Sequence, residues 1–137
     1  FLSYQDHHKH SAYVIRHADL LGFDQDEVAF IAALARFHRK SPPTGKRPEV
    51  AALDKPARRA LEPLAALVRL AESLDRSHAA LVTSARLLPL DGKRVALDIA
   101  CERDCPLELW GVQSQAAAFK AAFGRVLVER VVGETEA

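Results

Sequence analysis

Histidine is the residue in this chain best placed to do chemistry. Four of the six histidines fall within "HHKHSAYVIRH" (7–17), and a fifth, His38, sits in "ALARFHRKSPP" (33–43) among arginines and a lysine. Imidazole in such a pattern suits three roles: a ligand to a divalent metal, a contact to an anion, or an ordinary hydrogen-bonded surface or core group. Helical spacing bears on the choice. His7, His10, Val14, Ala18 and Leu21 share one stripe, His38 ends the stripe Val28, Ile31, Ala35, and Asp75 edges the stripe Leu64, Leu67, Val68, Ala71, Leu74. Three polar groups on the apolar faces of three helices would each need a partner if buried. The expectation is therefore that His10, His38 and Asp75 meet in a polar cluster, with or without an ion.

The basic residues form a second set. Arg36, Arg39 and Lys40 stand at i, i+3 and i+4, and Lys46 and Arg47 follow in "SPPTGKRP" (41–48). Cations near a helix C-terminus complement its dipole, but Arg36 lies too far inside for that. Forked guanidinium groups match phosphate oxygens, so the set is expected to contact phosphate or a polyanion. Arg58 and Arg59 are expected to be solvated.

These residues need elements to position them. A helix is expected over 6–21, with Asp6 as N-cap and Gly22 after its end. The next opens on Asp24, with Glu27 completing a capping box and Phe23 and Val28 placed for a hydrophobic staple. Residues 54–78 read as helical, with Pro63 dividing a short helix from a longer one. Beyond about 82 the period becomes alternating. "ARLLPL" and "RVALDIAC" flank "DGK" as a hairpin, with Val95, Leu97, Ile99 and Cys101 on one face. "LELWGV" (107–112) reads as a third strand, 114–123 as a short helix ended by Gly124, and "RVLVERV" (125–131) as a fourth strand. The fold class is α+β: a helical domain over 1–81, then a small α/β domain over 82–137 with about four strands and one helix, in the order β-β-β-α-β.

Bulk composition narrows the function classes. With 137 residues and a formal net charge of +1, the chain carries no overall field that would favour nucleic acid. No apolar run reaches membrane-spanning length, and the start has no signal-peptide pattern. Cys101 and Cys105 are expected to be free thiols in a reducing cytoplasm. Glycine-rich phosphate loops, a nucleophile elbow and paired carboxylates are absent. A first residue of Phe and the absence of methionine lead to the expectation of a fragment of a larger protein.

"HHKHSAYVIRHADLLGF", "IAALARFHRKSPP" and "LAALVRLAESLDRSH", in this order and spacing, resemble the C-terminal region of the Ppx/GppA exopolyphosphatases, and the tail "FGRVLVERV" is similar to that family's last small domain. The resemblance implies an HD-like helical domain followed by a small α/β domain. It implies hydrolysis of inorganic polyphosphate or pppGpp in N-terminal actin-like domains with a divalent metal (Mg), none of which these residues supply. In the HD pattern Asp75 matches the downstream Asp, and His8, His10 and His38 match the family's histidine positions. The upstream His-Asp pair would precede Phe1 and is usually His-Glu in this family. The implied function is an accessory region, without catalytic or metal-binding residues of its own. It binds polyphosphate through Arg36, Arg39, Lys40, Lys46 and Arg47 and supports a homodimer. Two alternatives are a self-sufficient HD metallophosphohydrolase, with His10, His38 and Asp75 holding a metal that activates water, and a purely structural dimerisation module.

Overall fold

The computed structural model describes residues 7–38 and 45–133. Among them are helices α1 (His7–His17), α2 (Gln25–Phe37), α3 (Pro48–Ala51), α4 (Lys55–Ser73) and α5 (Pro106–Phe123), and strands β1 (Val82–Pro89), β2 (Arg94–Cys101) and β3 (Val126–Val132). The chain forms two compact units, Phe1–Ala65 and Ala66–Ala137, so the division falls inside α4.

In the first unit, α1 lies along α2. The start of α2 is as the capping pattern requires. The Asp24 carboxylate accepts the Asp26 and Glu27 N–H groups at 2.9 and 2.8 Å, and Glu27 Oε2 accepts the Asp24 N–H at 2.9 Å. The core collects Ala33 and Phe37 of α2, Val50 and Leu53 around α3, and Leu61 and Ala65 of α4. Burying Phe37 and Leu61 stabilises the unit by about 1.5–3 kcal/mol each. These are not the stripes read from the sequence. Val14 and Leu21 are exposed, and in α4 the buried line runs Leu61, Ala65, Leu70 while Leu64 and Val68 stay partly open. Small alanines let neighbouring backbones approach, so the inward faces are rotated toward alanine-bearing positions. Pro63 does not divide α4, which continues through it to Ser73. The expected cap Asp6 lies outside the described residues.

The second unit is a three-stranded sheet, order β1-β2-β3, with α5 and the end of α4 contributing to its core. The hairpin forms as read, with β1 antiparallel to β2 and a bulge between Val82 and Ser84. Its turn is tied by Asp91, whose carboxylate accepts the Lys93 and Arg94 N–H groups at 2.7 and 2.8 Å. Val95, Leu97 and Ile99 face Leu70, Val112 and Phe119. Central β2 is buried on both faces, since Ala96, Asp98 and Ala100 are also covered.

"LELWGV" is not a strand but the first half of α5. β3 pairs parallel with β2, and a parallel connection needs a long crossover, which the 18-residue α5 supplies. Pro106 at its first turn is pre-set for that start, and Gly124 at φ +66° ends it by donating its N–H to the Lys120 carbonyl at 2.8 Å. The sheet therefore has three strands. Gly111 marks where α5 approaches the end of α4: a Cβ there would lie 3.1 Å from Ser73 Cβ. The cysteines are not free thiols. Cys101 at the end of β2 and Cys105 at the start of α5 form a disulfide, because the bend between them brings their Cα atoms to 6.6 Å.

Candidate functional site

Lys9, Tyr13, Arg16 and His17 stand at i, i+4, i+7 and i+8 on α1, which places them on one side of that helix. Ala32 and Ala33 of α2 face them, and their small side chains leave room for a pocket of about 320 Å³. Arg36, one turn further along α2, closes one wall and Glu49 of α3 another. Arg36 is largely buried, with Nε 3.7 Å from Glu49 Oε1. Three obligate cations thus line a pocket with one carboxylate, and the surplus of positive charge in a partly enclosed space favours an anion.

His17 donates its Nδ1–H to the Tyr13 carbonyl at 2.8 Å, and the two rings stack with centroids 4.2 Å apart. The helix backbone itself thereby fixes the ring pair. In the neutral imidazole this leaves the lone pair on Nε2.

The histidine cluster takes a different form from the one read in the sequence. His38 Nδ1 lies 2.6 Å from the Ala35 carbonyl and carries the hydrogen there, and in the neutral ring its Nε2 would be the acceptor toward His7 Nε2 at 3.3 Å. His8 stands edge-on to His7 with ring centroids 5.9 Å apart. His10 is half-buried on α1 and takes no part in this contact. Asp75 is exposed, in the turn after α4, and its stripe position fails because the helix ends at Ser73. There its carboxylate braces the chain: Oδ1 accepts the Ala80 N–H at 3.3 Å, and Oδ2 lies 3.7 Å from His78 Nδ1. His78 and Ala80 hold φ of 55° and 49°, left-handed values that cost non-glycine residues energy. Asp75 is the clamp on that turn. Among the described residues no group of three or more His, Cys, Asp or Glu side chains could hold a metal. Both ring nitrogens of His38 lie within 3.3 Å of a neighbour.

Of the basic residues expected to contact a polyanion, Arg36 lines the pocket, Lys46 and Arg47 are exposed just before α3, and Arg39 and Lys40 lie outside the described residues. Lys9, Arg16 and His17 were not among the expected anion contacts. Their helical spacing carried the signal, but the neighbouring histidines drew the reading toward metal chemistry. A larger cavity in the same unit, about 510 Å³, has an apolar floor of Phe30, Leu53 and Leu64 and a rim that includes Asp24, Asp26, Glu27 and Asp54. Its sign is opposite, and phosphate would be repelled.

The family profile described as Ppx/GppA phosphatase, domain III, matches residues 1–114. The match takes in the whole first unit, the β1–β2 hairpin and the first half of α5.

Proposed function

The chain belongs to the Ppx/GppA phosphatase family, as part of its C-terminal region, and from that membership we propose that it is the accessory, chain-holding part of an exopolyphosphatase or pppGpp phosphohydrolase. Polyphosphate is held on the first unit by Lys9, Arg16 and Arg36, with Arg39, Lys40, Lys46 and Arg47 extending the track. Hydrolysis, on this reading, takes place in N-terminal domains that carry the divalent metal. The single observation that carries the proposal is the cationic pocket between α1 and α2, where basic residues from two helices converge on one space. Several weak phosphate contacts suit a substrate that must slide as it is shortened, because no one contact fixes the register.

The second part of the proposal is a homodimer through the small sheet. Among the described residues β3 pairs only with β2, and Val126 and Val131 on it are exposed, which leaves a strand edge open to another chain. Light scattering of the chain at rising concentration tests this, and a monomer throughout would remove it.

Polyphosphate binding is tested by titrating the chain at increasing salt, in parallel with Lys9→Glu/Arg16→Glu. Affinity should fall steeply with salt, and the variant should bind more weakly with a shallower slope, by about 0.7 per lost contact if the polymer behaves as a single strand. Identical affinities and slopes would remove the pocket from the track.

A further inference from the structure

We propose that the larger cavity of the first unit is a binding site for a small organic cation, an ammonium group carried on an apolar body. The site is separate from the cationic pocket and opposite to it in sign. All residues lining it fall between Phe23 and Leu64, so it is built wholly within that unit. Ala29 of α2 and Ala57 and Ala60 of α4 stand where larger side chains would fill the space, and their small size leaves about 510 Å³. That volume is within the range of small-molecule sites, roughly 300–1,000 Å³. Phe30, Leu53 and Leu64 supply apolar surface, so a ligand gains by burying a body free of polar groups.

The charges decide the sign. Asp24, Asp26, Glu27 and Asp54 are the ionisable residues of the lining, and no Lys, Arg or His is among them. The starts of α2 and α4 bring roughly half a positive charge each, which four carboxylates outweigh. Among the described residues none of the four is in an ion pair, and Arg58 Nε donates only to the Asp54 carbonyl, at 3.4 Å. Three of the carboxylates are also held in place. Asp24 and Glu27 are fixed by the capping box, and Asp54 Oδ1 accepts the Ala57 N–H at 2.8 Å. In each, one oxygen is spent on backbone N–H groups, which leaves the other as an acceptor for an ammonium group. Phe23, 53% exposed where it lines the cavity, adds an aromatic ring whose face attracts cations. An anion would meet four like charges, and a neutral ligand would leave them unused.

The experiment uses three probes that share a phenylethyl body and differ at its end: phenylethylammonium, phenylethanol and phenylpropionate. Each is titrated into the chain at one ionic strength, with the backbone amide NMR shifts of 24–31 and 54–60 as the readout. An exposed ion pair contributes up to about fivefold in affinity, and more than one carboxylate takes part. Phenylethylammonium should therefore bind about tenfold more tightly than phenylethanol, and phenylpropionate should bind most weakly. Asp24→Asn/Glu27→Gln/Asp54→Asn keeps the acceptors for the backbone N–H groups and should remove most of the difference between the ammonium and the alcohol. Ala60→Trp should fill the space and weaken both, with circular dichroism as the folding control. Equal wild-type affinity for the ammonium and the alcohol would overturn the cation site, as would a preference that survives the triple substitution. Shifts at these amides that grow with protein concentration alone would assign the cavity to a second copy and overturn the small ligand. No response to any of the three probes would overturn the site itself. The polyphosphate titration is unaffected by each of these outcomes, since its residues line a different pocket.

Discussion

Arg130 on β3 grips Asp98 on β2 with both arms of its guanidinium, Nε lying 2.6 Å from Oδ1 and Nη2 2.7 Å from Oδ2. The two residues are register partners in the parallel ladder, and their environments differ. The Asp98 side chain is 6% exposed and that of Arg130 is 44% exposed.

That asymmetry predicts unequal costs. Arg130→Ala strands a buried carboxylate and should destabilise the fold by about 3 kcal/mol. Asp98→Ala leaves a guanidinium that can still reach water, and should cost about 1 kcal/mol. Urea denaturation of the two variants measures both. Equal losses would mean that the carboxylate reaches solvent more freely than its position implies.

Acid should weaken the second unit through two carboxylates. Glu108 is buried, and the Ser77 hydroxyl beside it and the Ser77 N–H at 2.9 Å hold its carboxyl below the usual range against the opposing effect of burial. Asp91 is held low by the Lys93 N–H and by Arg94. In the unfolded chain both groups regain ordinary values of about 4 and bind protons first as pH falls. Their stabilisation is therefore complete above that range and is lost as pH drops through the lowered folded values. Urea midpoints measured from about pH 5 down to about pH 3 should fall, and Glu108→Gln should flatten the decline while preserving the acceptor for Ser77. A Glu108→Gln variant with the wild-type slope would assign the acid sensitivity elsewhere.

Asp75 should act on the turn and not on a metal. Asp75→Ala removes the acceptor for the Ala80 N–H and the partner of His78, costing about 1 kcal/mol. Asp75→Asn keeps an oxygen in place and should cost less. Replacing Ala80 with Gly in the Asp75→Ala background should recover stability, since glycine tolerates the left-handed conformation. Thermal melts with and without added divalent metal provide the measurement, and a metal-dependent rise abolished by Asp75→Ala would restore the ligand role.

Arg39 and Lys40 should contribute to the polyanion track together. Arg39→Glu/Lys40→Glu should weaken polyphosphate binding and flatten its salt dependence at the same time, because counterion release scales with the phosphates neutralised. Loss of affinity at an unchanged slope would indicate a change of fold instead, which circular dichroism would reveal.

What could be read from the sequence was local. The capping box of Asp24 and Glu27, the "DGK" hairpin and the stop at Gly124 depend on residues within a few positions of one another, and all three form. Faces and partners depend on the rest of the chain. The larger apolar side chains of α4 suggested the stripe Leu64, Leu67, Val68, whereas close helix approach selected the line through Ala65. "LELWGV" has the composition of a strand, and only the parallel pairing of β2 with β3 makes it a crossover helix. Asp75 was read inside a helix that in fact ends two residues before it, at Ser73. Lys9 and Arg16 went unnoticed because the residues facing them, Ala32, Ala33 and Arg36, come from another helix.

Helix α4 gives residues to two cores, with Leu61 and Ala65 in one and Leu70 in the other. Helix formation is cooperative along its length, so fraying that begins near Ser73 propagates toward Leu61, and the reverse holds as well. The stretch from Leu61 to Leu70 is thereby carried by one set of backbone hydrogen bonds. A chain break between Ala65 and Ala66 would sever no loop, yet it would leave each half with a truncated helix and one raw end.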